Sequence, residues 1–232
     1  MDKVKSRKDL LKVVQDIDAG LGLTGMHLEL ASDERVHEMV DFLIEHFFPD
    51  ETLSKSIGLV ISEYGKKLLV ERYKDNLSLL LVSDVTNKVI GVRTIKVIPV
   101  GGQTINLSSI EDERIRKVIT FLRHKGSDMN VYKYFGIDCA VHFINLGIHK
   151  DYRNMGLGST LMNAAMSYVK EIGLDPVCIT GEGTSDYSQK IYEKCSFEVI
   201  HTVKYEDYIK DGEIVFKNTG LNKSCKFYVK KL

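Results

Sequence analysis

The sequence predicts an α/β (α+β) protein, a mixed central β-sheet of about seven strands with helices on both faces. Three observations carry this prediction. CAVHFINLGI (139–148) and PVCIT (176–180) are nearly continuous apolar runs, the pattern of strands buried on both faces. Apolar residues at helical spacing flank and separate these runs, so strands alternate with helices. With 232 residues, 44% of them hydrophobic and 28% charged, the chain has the size and composition of one globular domain.

Taken in order, Leu10, Val13, Val14 and Ile17 share one face of a short helix, which AGLGLTG (19–25) breaks. Residues 1–25 read as an N-terminal extension, an appendage or a lid, and 26–232 as the domain. MHLELA (26–31) alternates as a first strand. Asp33 is the expected N-cap of a helix whose stripe is Val36, Met39, Val40, Leu43, Ile44 and Phe47. Pro49 should end it by forcing Phe48 out of helical angles. A second helix is expected over 54–73. Strands at 77–83 and 88–97 follow at hairpin spacing, with Asn87 able to take a positive φ. Ser109 and Asp112 form a capping-box pattern for a helix through about Arg123. After the 139–148 strand come a helix from Gly156 to Ile172, the 176–180 strand and a short helix from Tyr187 to Cys195. Strands at 197–205 and 224–232 close the chain.

The 32 basic and 32 acidic residues cancel, which argues against a nucleic-acid partner held by bulk charge. Cys139, Cys178, Cys195 and Cys225 are widely spaced, and neither they nor the seven histidines show metal-ligand spacing. No metal is expected, and the thiols read as reduced. No apolar run approaches the ~20 residues of a membrane span, and the N-terminus lacks a hydrophobic signal core. A cytoplasmic protein without a membrane partner is expected, a monomer by default with an oligomer left open.

The most informative stretch is LGIHKDYRNMGLGSTLM (146–162), a buried strand that turns into a helix. Gly156 and Gly158 let backbone amides come close to a ligand, and the amides and dipole of a helix N-terminus suit an anion such as a pyrophosphate. Lys150 and Arg153 add mobile positive charge. Three readings compete. The turn is a packed strand–helix junction, or a dinucleotide turn, although Leu161 stands where the third glycine belongs. The third reading is a coenzyme-A pyrophosphate loop of the form [RQ]-x-x-G-x-[GA], and Arg153-Asn154-Met155-Gly156-Leu157-Gly158 matches each of its fixed positions.

With that hexapeptide the chain resembles the GNAT superfamily of N-acetyltransferases, which carries it after its fourth strand. Ile191-Tyr192-Glu193-Lys194-Cys195-Ser196-Phe197 is similar to that family's L-Y-E-K-x-G-F, with Ser196 in place of the glycine and a looser turn expected. Phe47-Phe48-Pro49-Asp50-Glu51-Thr52-Leu53 and the segment 205–216 resemble the insect-type arylalkylamine N-acetyltransferases more narrowly. The resemblance implies acetyl-CoA as co-substrate and a small-molecule amine as acceptor. It places the coenzyme on Leu146, Gly147, Ile148, Arg153, Asn154, Met155, Gly156, Leu157, Gly158 and Ser159.

Direct attack on a thioester needs a neutral amine and a proton for the departing thiolate. The resemblance implies Glu51 as general base, against its plainer reading as an acid in a turn. Thr184 and Ser188 are implied to assist proton transfer, against capping of the next helix, which is the favoured reading for Thr184. Tyr192 is implied as general acid, against simple packing. His142 reads as a core or pocket-wall residue. Acylation of an amino acid, a polyamine or a protein N-terminus stays open as an alternative, as does a non-catalytic acyl-CoA-binding module.

Overall fold

The computed structural model describes residues 4–102, 106–126 and 130–232. Seven strands form one sheet: β1 (Met26–Leu30), β2 (Leu79–Ser83), β3 (Val89–Pro99), β4 (Cys139–Ile148), β5 (Cys178–Gly183), β6 (Glu198–Lys204) and β9 (Ser224–Lys231). Their order is β1-β2-β3-β4-β5-β9-β6, antiparallel throughout except for the parallel pair β4 and β5. A small hairpin, β7 (Ile209–Lys210) and β8 (Glu213–Ile214), stands apart from it.

Both faces are covered, as the unbroken apolar strands require. Helices α1 (Arg7–Leu21), α7 (Leu157–Lys170) and α8 (Asp186–Lys194) close one face, where Leu79 and Leu81 of β2 meet Leu161, Ala165 and Tyr168 of α7. The alternate residues Leu80 and Val82 face the other side, against α2 (Val36–Phe42) and Val70 of α4 (Glu63–Arg72). Helices α3 (Thr52–Ser56), α5 (Glu113–Gly126) and α6 (Val131–Phe135) complete that second layer. Leu10 and Val14 of α1 are buried in the same core as the sheet, so this helix is built into the fold and does not stand off as an appendage or lid.

Several local expectations are corrected. The helix expected over 54–73 is two helices, because Gly58 takes a left-handed φ of 61° between α3 and α4. Ser32, not Asp33, accepts from the Arg35 amide at the start of α2, and Asp33 instead accepts from the Asn76 amide group. The α2 stripe runs on into a π-turn, Leu43–Phe47, and Phe48 keeps helical angles before Pro49 because its amide closes onto the Leu43 carbonyl. Asp112 itself caps α5, accepting from the amides of Arg114 and Ile115, while the Ser109 side chain lies outside the described residues. The 176–180 strand starts later and runs to Gly183. Ser196 holds a left-handed φ of 56°, so the turn stays as tight as a glycine would make it.

One feature of the sheet creates the site. Strands β4 and β5 pair only at Val141↔Ile179, His142↔Thr180 and Phe143↔Gly181. Beyond this point β4 continues to Ile148 and β5 to Gly183 without meeting, so the sheet opens into a fork. A bulge drives the separation: Arg93 pairs with Leu146 and Ile95 with Phe143, so Ile144 and Asn145 together oppose Thr94. A bulge bends the strand that carries the extra residue. The displaced Asn145 amide donates to the Thr94 hydroxyl at 2.8 Å, and its side-chain carbonyl accepts from Tyr73 at 2.7 Å and Thr94 at 3.1 Å. All three residues are buried, so the bulge satisfies its polar groups internally.

Candidate active site

A cavity of about 1300 Å³ runs through the fork, from the turn after β4 to the space under α5. That is larger than the roughly 300–1,000 Å³ of an ordinary small-molecule pocket. Along one wall lies the β4 edge from Leu146 to Ile148, which β5 leaves unpaired. An extended arm with amide groups can pair with such an edge as an added strand. Gly147 fits because its Cα faces Phe42 and Phe47, where a Cβ would lie 3.3 Å from the Phe42 ring.

At the end of β4, Lys150–Tyr152 form a single 3-10 turn, Asn154 and Gly156 take left-handed φ values of 63° and 79°, and α7 begins at Leu157. The first amides of a helix have no acceptor within it, and here they face the cavity mouth with the dipole behind them. Gly156 serves its φ, since nothing lies within 4 Å of where its Cβ would be. Gly158 serves packing, as its Cβ position is 3.4 Å from Ile191 of α8. The Ser159 amide is already used, donating to the Gly156 carbonyl at 3.0 Å, and the Met155 side chain is exposed.

Arg153 departs from expectation, because its guanidinium is fixed rather than mobile. It donates to Asp50 at 2.7 Å, to the His46 carbonyl at 2.9 Å and, through Nε, to the Ile148 carbonyl at 3.1 Å. The turn after β4 is thereby tied to the loop that carries Glu51. Beside it the rings of His46 and His149 lie 4.1 Å apart. Burial holds His46 below the ordinary imidazole pKa, and the neighbouring His149, Lys150 and Arg153 charges add to that shift.

Glu51 caps α3. Its Oε1 accepts from the Leu53 amide at 3.0 Å and the Thr184 hydroxyl at 2.8 Å. Its Oε2 accepts from the Ser54 amide at 2.8 Å and the Ser54 hydroxyl at 2.7 Å. Thr184 follows β5 directly, and its own carbonyl accepts from Tyr205 at 2.6 Å. Asn222 bridges the two segments by accepting from the Asp186 amide and donating to Thr52. Capping is the reading the sequence favours for Thr184, whereas for Ser188 capping and proton transfer stand level. Thr184 reaches the carboxylate, while Ser188 joins Ser185 in the capping box of α8 and donates to the Ser185 carbonyl at 2.9 Å.

Tyr192 of α8 lies at the crotch of the fork, stacked on Tyr228 with ring centroids 4.6 Å apart. Its hydroxyl sits so close over Gly181 that no Cβ would fit there. Burial pushes its phenol above the ordinary tyrosine pKa, and the nearby Arg93 charge opposes the shift. Sequence reasoning missed Arg93, Asp50, Ser54 and the Thr180 and Glu182 partners of His142. Only Ser54 carried a legible signal, a serine three residues after an acidic cap. His142 is a pocket-wall residue, 2.8 Å from the Thr180 hydroxyl and 3.3 Å from Glu182.

The fold has close counterparts among solved structures. Arylalkylamine N-acetyltransferase 2 from Aedes aegypti superposes with a TM-score of 0.81 at 21% identity, over 90% of this chain and 99% of that one. A mosquito arylalkylamine N-acetyltransferase like 5b gives 0.78 at 23% identity, over 89% and 100%. The Drosophila melanogaster polyamine N-acetyltransferase, which forms N-acetylagmatine, gives 0.76 at 16% identity, over 89% and 100%. Residues 40–197, which run from the end of α2 through the fork and the turn after β4 to α8, match the Acetyltransferase (GNAT) family. This chain belongs to the GNAT acetyltransferase family, whose enzymes draw the acetyl group from acetyl-CoA.

Proposed function

We propose that the protein transfers the acetyl group of acetyl-CoA to the primary amine of a small molecule, an arylalkylamine, by direct attack in a ternary complex. The observation that carries this reading is the Thr184–Glu51 hydrogen bond, which sets a carboxylate and a hydroxyl together on the cavity wall beside the fork. The β4 edge and the first amides of α7 fit the pantetheine arm and pyrophosphate of acetyl-CoA. Glu51, through Thr184, takes the proton that the attacking amine releases. The Tyr192 hydroxyl, buried and protonated at neutral pH, supplies a proton to the departing sulfur. None of the four cysteines is needed as an acyl carrier, because amine and thioester share one cavity.

Aryl preference is supported by the acceptor half of the cavity, where Leu59, Ile61 and Leu69 face Val118, Ile119 and Leu122 of α5. Flat apolar walls suit an aromatic ring with one amine reaching towards Glu51. A second reading, a cationic diamine or polyamine, is supported by Glu182, a second carboxylate in the same cavity.

The test is release of free thiol from acetyl-CoA across arylalkylamines, diamines, amino acids and N-terminal peptides. Arylalkylamines are expected to give the highest kcat/KM. A higher value for a diamine would move the assignment to the second reading, and one for peptides or amino acids would overturn both. Tight coenzyme-A binding without thiol release on any acceptor would leave a binding module.

A further inference from the structure

Arg93 of β3 is 1% exposed, yet it lines the cavity at the fork and has no ion-pair partner among the described residues. One guanidinium nitrogen, Nη2, donates to the Tyr192 hydroxyl oxygen at 2.9 Å. Its Cζ lies 4.2 Å from the centre of the Phe143 ring and 5.6 Å from that of Tyr192. Nε is buried with no acceptor among the described residues. Phe143 and Gly181 are the last residues that pair β4 with β5, and the Tyr192 hydroxyl hangs over Gly181. A positive charge with no ion-pair partner among the described residues is thus seated where the two strands part.

Such a charge is costly to bury without a carboxylate, and a leucine or methionine would fill the space without that cost. Cation–π contacts offset part of the cost but leave the net charge uncompensated. The arrangement gains its sense from the phenol. Arg93 occupies a lone pair on the Tyr192 oxygen, and the phenol hydrogen has no protein acceptor among the described residues, so it is left to point elsewhere in the cavity.

We propose that Arg93 is a positioning residue that aims the Tyr192 hydroxyl at the departing sulfur and stabilises the phenolate left after proton transfer. The inference rests on the acetyltransferase reading above. In the step, the amine nitrogen forms its bond to the acetyl carbon and the carbon–sulfur bond breaks, its electron pair staying on sulfur. The Tyr192 O–H bond breaks and an S–H bond forms, leaving phenolate against guanidinium. The proton lost by the amine passes to Glu51 and then to solvent, and a solvent proton restores the phenol before the next turnover. No oxidant or further reactant enters. The titratable groups facing Tyr192 are Arg93, which favours phenolate, Glu182 and Cys225, which oppose it, and Tyr228, stacked on its ring.

The test compares Arg93→Met, Arg93→Lys, Tyr192→Phe and Arg93→Met/Tyr192→Phe by kcat, pH profile, coenzyme-A affinity and thermal unfolding. Arg93→Met is expected to lower kcat at least tenfold with coenzyme-A affinity within twofold. Removing the positive charge makes phenolate harder to form, so the alkaline limb of kcat should move to higher pH. Arg93→Lys keeps a charge and should hold that limb near its wild-type position. In the Tyr192→Phe background Arg93→Met should cost less than twofold further.

An alkaline limb unmoved in Arg93→Met, or penalties that multiply in the double variant, would overturn the inference and leave Arg93 a packing residue. If Arg93→Met does not fold, Arg93→Lys and Tyr192→Phe decide alone: a Tyr192→Phe enzyme with unchanged kcat and alkaline limb sinks the proposal. Failure of the wild type to acetylate any amine would instead overturn the function itself.

Discussion

The Thr184 hydroxyl donates to Glu51 at 2.8 Å across 133 residues of sequence, joining the end of β5 to the cap of α3. With the Leu53 amide and both donors of Ser54, it brings the carboxylate to four hydrogen bonds. A carboxylate offers about four acceptor sites, so an incoming amine meets a carboxylate that is already saturated. In the proposed mechanism its proton is routed through the Thr184 hydroxyl, which can accept on oxygen while donating to Glu51.

This arrangement predicts unequal penalties for the two partners. Glu51→Gln keeps the shape but turns an acceptor oxygen into a donor, and general-base loss costs roughly a hundredfold to ten-thousandfold in rate. A fall in kcat/KM of at least about a hundredfold is expected, with coenzyme-A affinity unchanged. It should also lower stability by about 1 kcal/mol through the weakened cap on α3. Thr184→Val removes the relay and leaves the base, so its kcat/KM should fall about tenfold, equivalent to ~1.4 kcal/mol. Steady-state kinetics and urea unfolding on both variants separate these effects. Equal penalties, or a loss in Glu51→Gln below about fivefold, would leave Glu51 a structural cap.

A second prediction concerns the crotch of the fork. A Cβ at Gly181 would run into the Tyr192 hydroxyl and lie 3.0 Å from the Phe143 carbonyl oxygen. The carbonyl belongs to the last residue of β4 paired with β5 and is held by the sheet, so Tyr192 must leave its place between Arg93 and Tyr228. Gly181→Ala should cost about 1–3 kcal/mol in urea unfolding, the usual range for overpacking. It should also reduce kcat as strongly as Tyr192→Phe does. A variant with wild-type stability and turnover would show that the ring and hydroxyl are not held as described.

Much of this was legible in the sequence, and the rest was hidden for physical reasons. The apolar runs at 139–148 and 176–180 announced two central strands because burial on both faces removes polar residues, while their parallel pairing came only with the structure. The hexapeptide 153–158 announced the glycine turn into α7, because backbone-led anion binding constrains spacing. The split of the 54–73 helix turned on the left-handed Gly58, a conformation that helical periodicity does not register. Arg93 was unreadable since a lone arginine in a strand reads as an edge or a solvated face, and only the pairing register turns it onto Phe143 and Tyr192. The roles of Thr184 and Ser188 depended on which hydroxyl faced α3, a long-range relation that i, i+4 spacing cannot encode.

The last prediction is a loss of stability on mild acidification that runs through His46. Its ring lies 5.1 Å from Phe42 and 4.1 Å from His149, and its carbonyl anchors Arg153. Burial, reinforced by the charges of His149, Lys150 and Arg153, holds its folded-state pKa below the ordinary value, while Glu45 pulls the other way. The unfolded chain therefore takes up a proton at His46 before the folded chain does, near pH 6.5. The associated stability is complete above that pH and is lost as pH falls towards and through the lower folded-state value.

His27 works in the opposite sense, because its hydrogen bonds to Asp84 and Glu29 raise its pKa, and its contribution fades as pH rises. Wild type alone would blend the two. Comparison with His46→Gln, which cannot titrate, isolates the site. Urea midpoints taken every half unit from pH 8 to pH 5 should fall more steeply in wild type than in the variant below about pH 6.5. Parallel curves over that range would remove His46 as the source of the acid sensitivity.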